Sequence, residues 1–344
     1  MDFTFPLDKT IFKSSIYNFV KKHNGKYAFN LLDISSPNQN LVTIKNIDYY
    51  FKYLNDQPKN KGGNSIIIEL YESQNIDTDE IEYDEPDLIL KILKFKKSAD
   101  PNYPYKPEKR FKAEISALKK ASKKNSQNLI RIVHHGNCKI WSTWNDEYEE
   151  YLFYTMEYAE NDLKTYIEST HSTMNFEEKL SLCVSLAKGI NELHSYGFYH
   201  RDIKPDNIFI IGNEWKIGDL GLCAERDKEN KIDDISEFIG PRGWATPEVM
   251  NKHLTGGKGF QKKFDVVIDE QSDIFQLGKV FWYIFQHNAP IGAIKLNDFS
   301  TKHNRIYPIL RTMLNHSKKR RYKDISEVIK LFEPIEKELL SHSL

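Results

Sequence analysis

From Phe176 to Leu193 apolar residues return at helical spacing: Phe176, Leu180, Cys183, Leu186 with Ala187, Ile190 and Leu193. A stripe this long predicts a helix with one face in a core, and Gly197 lies just beyond it, where a helix would stop. No cofactor is needed to explain it. The stripe constrains the fold because it divides the chain by character. Before Tyr158 the apolar runs are mostly short and strand-like, and after it they are mostly long and helical. With 344 residues, that order predicts an α+β chain with a small β-rich part followed by a larger helical part.

Several elements follow from local pattern. Asp48–Leu54 and Ser65–Tyr71 are β-rich runs flanking a turn-rich stretch, Gln57–Asn64, that contains Pro58, Asn60 and the pair Gly62-Gly63. An acidic linker, Glu72–Pro86, precedes Leu88–Leu93, an apolar strand interrupted only by Lys91. Lys109–Ser122 places Phe111, Ile115 and Leu118 on one helical face. Leu129–His134 and Tyr151–Met156 are two further strands, with a polar stretch at Thr143–Glu150. Ser15–Lys22 is a helix-like piece, and Ile274–Ile284 and Asp324–Leu340 are helices.

Composition limits the function classes. The 40% hydrophobic and 13% aromatic content is ample for a core and argues against global disorder. Lys+Arg and Asp+Glu are 49 each, so nothing points to a general nucleic-acid or anionic-membrane binder. Cys138, Cys183 and Cys223 are widely spaced and odd in number, which fits neither a disulfide framework nor a zinc site and suits a reducing, cytoplasmic setting. Met1–Lys22 lacks the continuous apolar core of a signal peptide, and no stretch approaches the roughly 18–20 apolar residues of a membrane span.

After the stripe comes His200-Arg201-Asp202-Ile203-Lys204-Pro205-Asp206-Asn207. It sets a carboxylate, an ammonium and an amide in one short loop. Phosphoryl transfer needs that set: an acid to orient a hydroxyl, a cation near the moving phosphate, and an oxygen donor for a metal. The octapeptide resembles the catalytic loop of eukaryotic-type (Hanks-type) protein kinases, and a Lys two residues after the Asp resembles the serine/threonine-directed branch. Asp219-Leu220-Gly221, seventeen residues after Asp202, resembles the family's metal-binding D-F-G, with Leu for Phe. Lys91 stands at the place of the strand lysine, with Lys94 as the register alternative. Glu114, in a stretch resembling the family's helix C, is its natural counter-charge. Met156-Glu157-Tyr158 resembles the hinge, and Gly240–Glu248 resembles the end of an activation segment.

The resemblance covers roughly residues 46–335 and implies a bilobal fold with a small β-rich N-lobe and a larger helical C-lobe. Its lobes would span 46–157 and 158–335, with an N-terminal extension at 1–45 and a tail at 336–344. It implies transfer of the γ-phosphate of ATP, with Mg2+, to Ser/Thr hydroxyls of protein substrates, with autophosphorylation. Asp202 would orient the hydroxyl and accept its proton, Lys204 would stabilise the moving phosphate, and Asn207 and Asp219 would hold magnesium. Lys91 and Glu114 would place the phosphates under Gly62 and Gly63. Backbone groups of Glu157 and Ala159, with Met156, Ile89 and Phe209, would take the adenine. His200, Arg201, Asp273, Glu248 and Arg321 (with Arg320 as the fallback) would support the site.

The chain also departs from the family. The glycine-rich loop keeps only Gly62 and Gly63, with Lys59 and Lys61 nearby, and Ile89 and Phe209 tighten the adenine slot. Pro241 stands where a hydroxyl residue is usual. Arg201 seeks an anion from the activation segment, either a phosphorylated Ser236 or the built-in acids Asp233, Asp234 and Glu237. Two rival readings follow: a pseudokinase-type interaction module, and a small-molecule kinase on the same fold.

Overall fold

Alternating apolar side chains build the first of two units, residues 1–115 with 131–158. The computed structural model describes residues 3–4, 17–22, 26–31, 41–53, 64–72, 85–100, 102, 104–142, 147–226, 232–259, 264–299 and 305–342. The first unit holds β1 (Phe3–Thr4), β2 (Tyr17–Lys22), β3 (Lys26–Leu31), β4 (Leu41–Ile44), β5 (Ile47–Tyr53), β6 (Ser65–Glu72), β7 (Leu88–Lys96), the first part of α1 (Lys106–Lys123), β8 (Ile132–Ser142) and β9 (Glu147–Glu157). A seven-stranded sheet runs in the order β1-β8-β9-β7-β6-β5-β4. Its pairs are antiparallel except β1 with β8.

Register explains why β7 is apolar on both faces. Ile92 lies opposite Ile66 and Phe153, and Leu90 opposite Ile68; these belong to a core cluster with Val42, Phe51, Leu70 and Ile140. The other face carries Ile89 opposite Met156 and Lys91 opposite Tyr154. One lysine in an apolar strand is therefore a side chain aimed away from the main cluster.

Three local readings change. Tyr17–Lys22 is a strand paired with β3 from Tyr17↔Leu31 to Lys22↔Lys26, not a helical piece. So short a piece cannot sustain a helix, whereas an antiparallel partner satisfies the backbone, with Phe19 opposite Phe29 in the register. The strand expected at Leu129–His134 starts at Ile132 and runs to Ser142, with Leu129 in an isolated bridge to Ile217. β9 starts inside the polar stretch, at Glu147, because pairs such as Lys139↔Glu150 carry both strands past their apolar parts.

The second unit is residues 116–130 with 159–344. It contains β10 (Asn161–Asp162), α2 (Leu163–Thr170), α3 (Phe176–Ser195), β11 (Phe198–Tyr199), β12 (Ile208–Ile211), β13 (Glu214–Ile217), β14 (Ala224–Glu225), α4 (Pro247–Leu254), α5 (Glu270–Gln286), α6 (Ile306–Met313) and α7 (Ile325–His342). Asn175 and Glu178 form a capping box that starts α3. The apolar stripe is buried, from Leu180 to Leu193. Gly197, at φ +85°, donates to the His194 carbonyl and turns the chain out of the helix. α5 is buried along most of its length, and its Phe281 meets Phe332 of α7 with ring centroids 5.4 Å apart.

Candidate active site

The candidate residues fall into two sets, one in each unit. In the first unit Lys91 Nζ donates to Glu114 Oε1 at 2.8 Å, and both side chains are buried, at 9% and 1% exposure. Tyr154, directly across the ladder from Lys91, donates its hydroxyl to the same Oε1 at 2.9 Å, and its ring lies 5.7 Å from the ammonium. A buried carboxylate with two donors is held in one place, and so is the lysine it pairs with. Lys94, the register alternative, is also buried, and its N–H bonds the Asn64 carbonyl. Glu157 spends its carboxylate on the Arg131 N–H at 2.8 Å and its own N–H on the Arg131 carbonyl at 3.2 Å. Gly62 and Gly63, like Lys59 and Lys61, lie outside the described residues.

In the second unit the octapeptide is hung from α5. Asp273 is fully buried; its Oδ2 accepts the His200 N–H at 2.7 Å and its Oδ1 the Arg201 N–H at 2.8 Å. His194, at the end of α3, donates Nε2–H to Oδ2 at 2.8 Å. Gln276, one turn along, accepts the Ile203 N–H at 3.1 Å and donates to the Arg201 carbonyl at 3.3 Å. The N-cap of α5 is Asp269, which leaves Asp273 for the loop. Burial pushes the Asp273 carboxyl up, but the hydrogen bond from His194, the attraction of that ring and the Arg201 N–H hold it below its ordinary value. A depressed folded pKa contributes stability above the ordinary carboxylate range and loses it as pH falls through the folded value. Asp273→Asn is expected to cost about 3–5 kcal/mol at neutral pH, and to shrink this part of the acid-induced loss. Urea titrations at neutral and acid pH measure both effects.

The loop presents Asp202 and Asn207 together. Asn207 Nδ2 donates to the Asp202 carbonyl at 2.8 Å and to its Oδ2 at 3.0 Å. Burial, more than any neighbour, raises the Asp202 carboxyl to about 6; Asp219 adds to the rise while Lys204 and the Asn207 bond oppose it. His200 is fully buried, and burial holds its imidazole below the ordinary value; its Nδ1 accepts the Asp202 N–H at 3.3 Å. Arg201 and Asp219 have φ of +69° and +50°, conformations uncommon for residues with a Cβ and found where surroundings over-determine the backbone.

Asp219 is exposed, whereas Leu220, the residue that stands for Phe, is fully buried beside it. Gly218 precedes them because a Cβ there would stand 2.7 Å from Ile130 Cδ1 and 2.9 Å from Phe209 Cε2. Phe209 and Ala159 are both partly buried. Farther along, Thr246 caps α4, and Glu248 Oε1 meets Arg321 Nη2 at 2.6 Å with both side chains essentially buried. Arg201 reaches Asp233, at 2.6 Å.

Sequence reasoning missed Tyr154, His194 and Gln276. Each looks like ordinary core or helix composition; the signal available for Tyr154 was its place on a strand that must pair with the one carrying Lys91.

The acceptors present suit magnesium. Nδ2 of Asn207 is committed to Asp202, which leaves its amide oxygen, and Asp219 offers a carboxylate; hard oxygen donors are what Mg2+ takes, usually one or two from protein beside substrate phosphates. Among the described residues no group of three or more His, Cys, Asp or Glu could hold a metal ion on its own.

A β-rich unit, a helical unit and a loop of this kind define the bilobal protein-kinase fold. The family model "Protein kinase domain" matches residues 87–339, well over half of the chain. The chain belongs to the protein kinase family. It is similar to serine/threonine-protein kinase PAK 5 of Rattus norvegicus, 33% identical over 134 residues that cover 37% of this chain and 17% of that protein. It is similar also to serine/threonine-protein kinase PAK mbt of Drosophila melanogaster, 34% over 132 residues (37% and 20%), and to serine/threonine-protein kinase CLA4 of Candida albicans, 30% over 169 residues (48% and 14%). The chain thus matches a fifth or less of the length of each of these relatives. Kinases of this family generally use ATP and Mg2+.

Proposed function

We propose that this chain is an ATP-dependent serine/threonine protein kinase. The observation that carries the reading is the Asp202–Asn207 pair, fixed by two hydrogen bonds in a loop hung from buried Asp273. Asp202 orients the substrate hydroxyl and accepts its proton. Its raised carboxyl is ionised above about pH 6 and still binds a proton better than an ordinary aspartate. Lys204 stabilises the transferring γ-phosphate, and Lys91, steadied by Glu114 and Tyr154, holds the α- and β-phosphates.

Asn207 and Asp219 would hold magnesium, which when bound neutralises charge on the phosphates. On the resemblance, Ile89, Met156 and Phe209 would pack against adenine, with backbone groups of Glu157 and Ala159 as its hydrogen-bond partners; Gly62 and Gly63, the candidates for covering the phosphates, lie outside the described residues. His200, Arg201, Asp273, Glu248 and Arg321 keep the loop and segment in shape. The acceptor is the Ser or Thr hydroxyl of a protein, following the lysine in the octapeptide and the names of the similar serine/threonine-protein kinases. The setting is cytoplasmic; among the described residues no helix is long and apolar enough to cross a membrane. The rival reading of a kinase-like module without turnover draws on the Gly62-Gly63 loop, and no observation favours it.

The test is to incubate the purified chain with Mg-ATP and a generic basic protein and to identify the phosphorylated amino acids. Phosphoserine or phosphothreonine accumulating with time is the expected result. Phosphotyrosine alone, or phosphate passing only to small molecules, would contradict it.

A further inference from the structure

Arg201 is one peptide unit from Asp202, and its guanidinium is committed to the stretch that follows Asp219. Nη1 donates to Asp233 Oδ2 at 2.6 Å, Nη2 to Oδ1 at 3.4 Å, and Nε to the Leu222 carbonyl at 2.7 Å. The side chains are 3% and 4% exposed. A fork of this kind fixes direction as well as charge. It also acts on a strained unit, since Arg201 has φ +69°, its N–H is held by Asp273 and its carbonyl by Gln276. Whatever orders the guanidinium therefore orders the backbone that aims Asp202.

A buried guanidinium needs an anion, and the chain offers several sources nearby. Asp234 and Glu237 close a local turn, with the Asp234 N–H on Glu237 Oε2 at 3.1 Å and the Glu237 N–H on the Asp234 carbonyl at 3.1 Å. Ser236 is exposed, and its carbonyl lies 3.2 Å from His253 Nδ1 on α4. Asp233 is the acid that meets Arg201 in a two-point contact. We propose that Asp233 is a positioning residue: a built-in carboxylate that sets Arg201, and through it Asp202, so that the loop takes its working arrangement with no phosphate on Ser236. The proposal rests on the phosphotransferase reading above.

The test compares the full chain with Ser236→Ala, Asp233→Asn and Asp233→Glu. Each is assayed for kcat and KM for ATP after phosphatase treatment, and for hydrogen exchange across residues 232–245. Ser236→Ala and the phosphatase-treated chain are expected to stay within about twofold of the untreated protein. Asp233→Asn is expected to lower kcat by roughly 100-fold, the scale of a misplaced catalytic group, with KM for ATP little changed and faster exchange in the segment. Asp233→Glu should recover most of kcat, which a general loss of fold would not allow. If Asp233→Asn does not fold, the double variant Arg201→Gln/Asp233→Asn, which leaves no buried charge unpaired, is expected to fold and show the same loss of kcat. Full kcat in the folded Asp233→Asn or double variant, or activity that vanishes with phosphatase and returns on phosphorylation of Ser236, would overturn the proposal. Should the unaltered chain prove inactive, the phosphotransferase reading falls. Exchange then decides alone: unchanged exchange in Asp233→Asn sinks the clamp, and faster exchange upholds it.

Discussion

Asp202→Asn is expected to lower kcat by about 10³-fold and to leave the fold at least as stable as before. The first effect follows from chemistry, since an amide cannot take the proton that a positioned carboxylate takes, and a general base typically supplies 10²–10⁴-fold. Geometry offers no compensation. Asn207 already donates to the Asp202 carbonyl and carboxylate, so an asparagine can occupy the same space without regaining basicity. The second effect follows from sign. Burial raises the Asp202 carboxyl to about 6. An acid whose folded pKa lies above its unfolded value opposes folding once pH exceeds both, because the fold holds a charge it disfavours. Removing that charge relieves the cost, the usual trade between activity and stability at a catalytic position. Initial rates with Mg-ATP and melting temperatures at neutral pH measure the two effects. A variant that is inactive because it is unfolded would contradict the account as surely as one that remains active.

Arg321→Met is expected to cost about 3–5 kcal/mol of stability, as much as Asp273→Asn, because it leaves the Glu248 carboxylate buried without its cation. Glu248 is 1% exposed, with Arg321 Nη2 at 2.6 Å and the Ser272 hydroxyl at 3.5 Å. Arg321 also spends Nε on the Asn315 carbonyl at 2.5 Å, Nη1 on the Gln271 carbonyl at 2.9 Å and Nη2 on the His316 carbonyl at 3.2 Å, and it stacks 4.7 Å from the Phe275 ring. No single point charge can reproduce that fork, so Arg321→Lys should fail nearly as badly. The double variant Glu248→Gln/Arg321→Met should recover part of the loss, since no unpaired charge remains. A shift in the urea midpoint measures all three, and equal stability of Arg321→Met and the parent would show that the pair does not hold this part of the helical unit.

How far these features could be read from sequence depends on the range of the interaction. The stripe Phe176–Leu193 became α3 because local spacing alone decides which face is buried. The meeting of Lys91 and Glu114 was legible because a lone cation in an apolar strand demands a counter-charge, and the next helix holds one. Tyr154 was not, because an aromatic in a strand satisfies the core without help; only the ladder register puts its hydroxyl on Glu114. Asp233 stood beside Asp234, with Glu237 and Ser236 close by, all chemically able to meet Arg201, and the path of the backbone chose one. The helix-like reading of Ser15–Lys22 fails for the converse reason: so short a piece carries too little periodicity, and the partner that decides Tyr17–Lys22 lies in β3.

The central claim is that the loop from His200 to Asn207 and the Asp219 carboxylate form phosphate-transfer machinery. The most direct measurement is the rate of γ-phosphate transfer from Mg-ATP to protein, followed side by side for the unaltered chain and Asp219→Asn, with phosphosites mapped by mass spectrometry. The account predicts steady transfer to Ser or Thr by the unaltered chain and background transfer by the folded variant. Equal rates in the two, or no transfer by the unaltered chain, would contradict it.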